Sequence, residues 1–134
     1  MAGGLGTRIR PIVGDNPKCL ALINNRPFID ILIDNCVDQG LRRFIISIGY
    51  KKEKVIEYCK NIKKCEIIFS EEKKQLGTGG AIKNSRKYLK SKDVIIMNGD
   101  SYIDLNFKKL YEYHFNKNSL ITIAGIKSKN SSDY

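Results

Sequence analysis

The chain has 134 residues, 42% of them hydrophobic, which suits one folded core and argues against a disordered or fibrous protein. No apolar run reaches the roughly 18 residues of a membrane helix, and the N-terminus lacks a charged-then-apolar leader pattern, so a cytoplasmic domain without membrane contact is expected. The formal net charge is +10, yet the lysines are scattered along the chain with no aromatic residues interleaved as a stacking platform; they read as solvated faces and not as a nucleic-acid surface.

In chain order, the first feature is the segment Ala2-Gly3-Gly4-Leu5-Gly6-Thr7-Arg8, with Pro17-Lys18 ten residues beyond the arginine. Glycines let a backbone approach a ligand closely, and successive amides in such a turn can cradle phosphate oxygens. Arg8 and Lys18 supply neutralising charge, so the loop reads as a site for a phosphate ligand. Pro27 then suits the first turn of a helix whose apolar positions Phe28, Ile31, Leu32 and Cys36 recur at helical spacing, with Gly40 as its stop. The apolar run 43–48 predicts a buried parallel strand, 53–62 an amphipathic helix, and 66–70 a second strand.

A second glycine cluster, Gly77-Thr78-Gly79-Gly80, is expected to end a loop over 72–80 before a helix at 81–89. A strand over 93–97 leads to Asn98-Gly99-Asp100, Asp104 is expected to cap a helix over 107–115, and a last strand is expected over 119–126. This alternation predicts an α/β fold with a doubly wound, mostly parallel sheet, whose ligands bind beyond the carboxyl ends of the strands. The loops at 3–11 and 72–80 and the turn at Asp100 would all open at that edge.

Common glycine motifs do not account for these loops. No Gly-Lys-Ser/Thr ends a P-loop, and a dinucleotide fingerprint started at Gly4 and Gly6 meets Ile9 where its third glycine belongs. That disfavours the dinucleotide-binding domain of an oxidoreductase. Cys19, Cys36, Cys59 and Cys65 form no C-x-x-C pair, and His114 is the one histidine, so buried free thiols in a reducing compartment are expected and zinc is not.

Taken together, Gly3-Gly4-Leu5-Gly6-Thr7-Arg8 with Pro17-Lys18, Leu76-Gly77-Thr78-Gly79-Gly80-Ala81, and Asn98-Gly99-Asp100 resemble the signature segments of the sugar-phosphate nucleotidyltransferases, in that family's order. The spelling of the second and third segments is most similar to the heptose-1-phosphate guanylyltransferases. The resemblance implies a Rossmann-like nucleotidyltransferase fold and transfer of a nucleoside monophosphate, GMP from GTP, to a sugar 1-phosphate of heptose or mannose type with release of pyrophosphate. It implies catalytic roles for Arg8, Lys18 and Asp100, with Asp100 holding Mg²⁺. It also implies nucleotide contacts from Ala2, Gly3, Gly4, Gly6, Thr7, Glu72, Gly77 and Thr78. A carboxylate at Glu72 favours guanine, which presents two donors on one edge where uracil or thymine presents one.

Two departures from the family pattern lead us to expect an incomplete fold. Only Met1 and Ala2 precede the glycine loop where the family has an opening strand, and the chain ends at Tyr134 before the sugar-binding half. Residues 1–134 are therefore expected to be the nucleotide-binding part of one nucleotidyltransferase domain. A non-catalytic nucleotide-binding or regulatory module, or an inactive fragment of such an enzyme, stands as the alternative, and the reading leaves room for a homo-oligomer.

Overall fold

The computed structural model describes residues 16–125, which fall into two compact units divided between Tyr102 and Ile103. In the first unit a single 3₁₀ turn, Lys18–Leu20, leads into strands β1 (Leu22–Ile23) and β2 (Arg26–Pro27). Helix α1 (Phe28–Asp38), strand β3 (Arg43–Ile48), helix α2 (Lys52–Cys59), strand β4 (Glu66–Glu71) and helix α3 (Gly77–Ser85) follow, and a 3₁₀ turn at Arg86–Tyr88 extends the last helix. The second unit carries helix α4 (Phe107–Asn116).

The β1–β2 hairpin turns through Asn24 and Asn25, both left-handed at φ 48° and 63°, as a two-residue hairpin turn demands. Helix α1 begins directly after Pro27 and stops where Gly40 predicts. Gly40 stands at φ +92°, its N–H donates to the Val37 carbonyl, and Leu41 N–H donates to the Cys36 carbonyl. That pair of bonds is a Schellman motif, which satisfies the last carbonyls of the helix and turns the chain into β3.

Strands β3 and β4 pair in parallel with Arg43 opposite Glu66 and Ile48 opposite Glu71. Side chains alternate faces along a strand, so Ile46 and Ile48 share one face and Ser47 takes the other. The isoleucine face packs with Ile29 and Ile33 of α1, Val55 and Cys59 of α2, and Cys19 in one buried cluster. On the opposite face Ser47 meets α3: its hydroxyl lies 3.0 Å from that of Ser85. Asn84 Nδ2 donates to Ser70 Oγ and to the Glu71 carbonyl, each at 3.0 Å. Helices therefore cover both faces of a parallel pair, the local form of the doubly wound arrangement that the alternation of elements implies.

Two expected strands are not paired. Residues 94–97 and 120–125 run without a ladder among the described residues, and Val94, Ile95 and Ile96 remain 41–53% exposed while Leu120 is 99% exposed. An apolar run becomes a strand only when a neighbour takes up its N–H and C=O groups, and the ladders among the described residues are β1–β2 and β3–β4. The cap of α4 also differs from expectation: Asn106, and not Asp104, accepts the Lys109 N–H at 2.9 Å. Asn106 directly precedes the helix, and its Oδ1 reaches the third helical amide as an N-cap must. Among the described residues no helix is long and apolar enough to cross a membrane.

Candidate functional site

Lys18 and Asp100 come together. Lys18 lies in the 3₁₀ turn after Pro17, and the next residue, Cys19, is 1% exposed in the apolar cluster. Burying Cys19 fixes the turn and leaves the Lys18 ammonium on the surface beside Asp100, with Nζ to Oδ2 at 3.4 Å. Asp100 sits in the turn after Asn98-Gly99, with Ser101 Oγ 3.4 Å from its other oxygen. Both side chains keep solvent access, at 28% and 43%, so the pair is open to a ligand.

The donor chemistry at Asp100 can be tested against Mg²⁺. Among the described residues no three His, Cys, Asp or Glu side chains gather as a ligand set. A hard, half-exposed carboxylate fits an ion that takes one or two protein oxygens and fills its remaining positions with water and phosphate. The adjacent ammonium is placed to neutralise the same phosphate oxygens.

Glu72, Gly77 and Thr78 form a second cluster at the opening of α3. Glu72 N–H donates to the Ile48 carbonyl at 2.8 Å, continuing the ladder one residue beyond β4. Its carboxylate then accepts the Leu76 N–H at 3.1 Å, closing loop 72–76. The structure corrects the expectation that 77–80 ends a loop: Gly77 to Gly80 are the first turn of α3, four residues ahead of the expected start. The Glu72 bond and the serine–asparagine seam beneath α3 hold this turn in place against the low helix propensity of glycine. Gly77 enters the helix at φ +68°, and a Cβ on Gly80 would stand 2.7 Å from Leu76 Cβ. A Cβ on Gly79 would meet nothing within 4 Å among the described residues.

A carboxylate offers about four lone-pair sites, so the bond to Leu76 leaves Glu72 able to accept from a ligand. Thr78 is exposed on the same turn. The expected contacts from Ala2, Gly3, Gly4, Gly6, Thr7 and Arg8 lie outside the described residues.

The thiols are free. Cys19, Cys36 and Cys59 are buried, and Cys65 is partly covered. Burial pushes the Cys19 thiol up to about 11 and the Cys59 thiol up to about 12, because an apolar surround disfavours the thiolate. Cys19 and Cys59 therefore pack as neutral thiols in the buried cluster.

Sequence reading missed the β1–β2 hairpin, although Asn24-Asn25 between Leu22-Ile23 and Arg26 is a turn signal. It also missed the charge cluster that the hairpin supports. Arg26 Nη2 donates to Asp30 at 2.8 Å and to Asp34 at 2.5 Å, and Lys64 pairs with both aspartates. The cluster ties hairpin, α1 and the approach to β4 together.

A glycine-opened helix on one face of a parallel pair, helices on the other, and an exposed lysine–aspartate pair define an α/β domain with helices on both faces of its sheet. The chain belongs to the nucleotidyl transferase family, whose model matches residues 1–134. It is 40% identical over 111 residues to the D-glycero-alpha-D-manno-heptose 1-phosphate guanylyltransferase of Campylobacter jejuni, covering 82% of this chain and 50% of that protein. It is 36% identical over 125 residues to the protein of the same name from Aneurinibacillus thermoaerophilus, covering 92% and 54%. The crystal structure of HddC from Yersinia pseudotuberculosis superposes with a TM-score of 0.78 at 39% identity, over 86% of this chain and 52% of that one. A second crystal structure of HddC, complexed with GMP-PN, matches equally well at 40% identity. The fold is thus the Rossmann-like nucleotidyltransferase fold, and the chain spans about half the length of the curated relatives it matches.

Proposed function

We propose that residues 1–134 form the nucleotide-binding part of a sugar-1-phosphate nucleotidyltransferase, which transfers GMP from GTP to a heptose- or mannose-type sugar 1-phosphate and releases pyrophosphate. The observation that carries this reading is the meeting of Lys18 and Asp100 at 3.4 Å across 82 residues of sequence. The guanylyltransferase names of the similar proteins and the GMP-PN complex of HddC support the nucleotide and its base.

Attack of a sugar-phosphate oxygen on the α-phosphorus needs alignment and charge neutralisation, and no nucleophilic side chain. Lys18 would hold phosphate oxygens at the reacting centre by its ammonium, and Arg8 would bind the triphosphate and stabilise departing pyrophosphate. Asp100 would hold Mg²⁺, which when bound supplies Lewis-acid neutralisation of phosphate charge. Glu72 would accept from the guanine edge, with Gly77 and Thr78 beside it and the glycine loop, Ala2 to Thr7, on the phosphates. We assign this chemistry to the cytoplasm.

Calorimetric titration of the chain with GTP, UTP, dTTP and CTP, each with and without Mg²⁺, tests the reading. A Mg²⁺-dependent preference for GTP is expected, together with loss of that preference in Glu72→Gln. Equal affinity for all four nucleotides would overturn the base assignment, and GTP binding indifferent to Mg²⁺ would overturn the role of Asp100.

A further inference from the structure

Among the described residues the segment that carries Asp100 joins no ladder, and side-chain contacts reach it from helix α1. Two contacts flank it, and both come from neighbouring residues of α1. Cys36 Sγ lies 3.7 Å from Met97 Sδ on one side of Asp100, and Asn35 Nδ2 donates to the Tyr102 hydroxyl at 2.8 Å on the other. The Asn35 amide is itself oriented, because its Oδ1 accepts from Gln39 Nε2 at 2.5 Å one helical turn on. The Lys18 turn is seated on the same helix, with Cys19 buried in one cluster with Ile29 and Ile33. Both members of the Lys18–Asp100 pair therefore take their positions from α1.

We propose that Asn35 is a positioning residue for Asp100, acting through Tyr102 to hold the carboxylate where Mg²⁺·GTP meets Lys18. This role rests on the reading of Asp100 as the metal-facing carboxylate. The Cys36–Met97 contact is soft and tolerant of displacement. The Asn35–Tyr102 bond is directional, and it lies two residues from Asp100. A hydrogen bond that orients a metal-facing group commonly governs metal affinity by about 10- to 100-fold.

The test is calorimetric titration of the 134-residue chain with GTP, with and without Mg²⁺, in the unaltered protein, N35L, Y102F, the N35L/Y102F double variant and N35D, with a thermal melt of each. N35L and Y102F are each expected to weaken Mg²⁺-dependent GTP binding about 10-fold and to leave Mg²⁺-free binding unchanged. The double variant should be no worse than either single one, because both remove the same bond. N35D should restore binding, since the tyrosine hydroxyl can donate to a carboxylate. Y102F deletes only one oxygen at an exposed ring, so it reports even where N35L lowers the melting temperature. Unchanged Mg²⁺ dependence in Y102F, or equal losses with and without Mg²⁺, would overturn the positioning role alone. Failure of the unaltered chain to bind Mg²⁺·GTP would overturn the functional reading and this role with it.

Discussion

Lys18 Nζ lies 3.4 Å from Asp100 Oδ2, with 28% and 43% of the two side chains still exposed. A pair this open contributes below about 1 kcal/mol to folding, so stability alone gives little reason for the two charges to meet, and a ligand between them is the reading proposed above.

Substitution should separate the two residues. Lys18→Ala should weaken GTP binding both with and without Mg²⁺, whereas Asp100→Ala should abolish the difference between the two conditions. Neither should move the melting temperature by more than a few degrees, given the small energy of an exposed pair. Calorimetry beside a thermal melt reads both effects; near-normal Mg²⁺ dependence in Asp100→Ala would show that the metal is held elsewhere.

The opening of α3 should resist even small additions. Gly80→Ala places a Cβ 2.7 Å from Leu76 Cβ, and its expected cost is about 1–3 kcal/mol, as for other overpacked sites. Gly77→Ala must hold φ +68°, which costs an L-residue about 1–2 kcal/mol. Urea unfolding of both variants checks this, and a Gly80→Ala chain as stable as the parent would mean that the turn opens freely.

The Arg26–Asp30–Asp34–Lys64 cluster gives stability a pH dependence of definite sign. The Lys64 ammonium, with Arg26 beside it, holds the Asp34 carboxyl below its ordinary value against the opposing effect of burial. A depressed carboxyl stabilises the fold above its unfolded value of about 3.9, and that contribution is lost as pH falls through the lower folded value. Acid titration of the melting temperature should therefore show a decline below about pH 4 that Asp34→Asn reduces. At neutral pH, Asp34→Asn should cost about 0.5–1 kcal/mol, the scale of a solvent-screened pair.

Thiol reactivity should follow burial. In the native chain at pH 8, iodoacetamide should modify Cys65 first and spare Cys19, Cys36 and Cys59, which only unfolding exposes. Mass spectrometry before and after adding denaturant reads the order. Early labelling of Cys19 would mean that the Lys18 turn opens on that timescale.

Local patterns were legible in the sequence. The apolar runs at 43–48 and 66–70 are β3 and β4, and Pro27 with Gly40 brackets α1, because a fixed φ at the start and a left-handed residue at the end are local demands. Nonlocal demands were not legible. Val94, Ile95 and Ile96 have strand chemistry, but pairing depends on a neighbour that composition cannot supply. The glycines of 77–80 belong to a helix because Glu72, Asn84 and Ser85 support it from outside the segment. Lys18 and Asp100 could be matched beforehand only by motif resemblance, since no periodicity joins residues 82 apart. Asn35 falls within the helical spacing of Phe28 to Cys36, and its bond to Tyr102 shows only in three dimensions.

The glycines opening α3 differ in what demands them. At Gly77 the demand is a left-handed backbone, and at Gly80 it is the side chain of Leu76; both come from within the protein. At Gly79 a Cβ would meet nothing within 4 Å among the described residues, and a helix interior ordinarily favours alanine over glycine by about 1 kcal/mol. An alanine at that one position that leaves the melting temperature unchanged yet weakens nucleotide binding would therefore be the imprint of a molecule bound against the turn, read separately from folding.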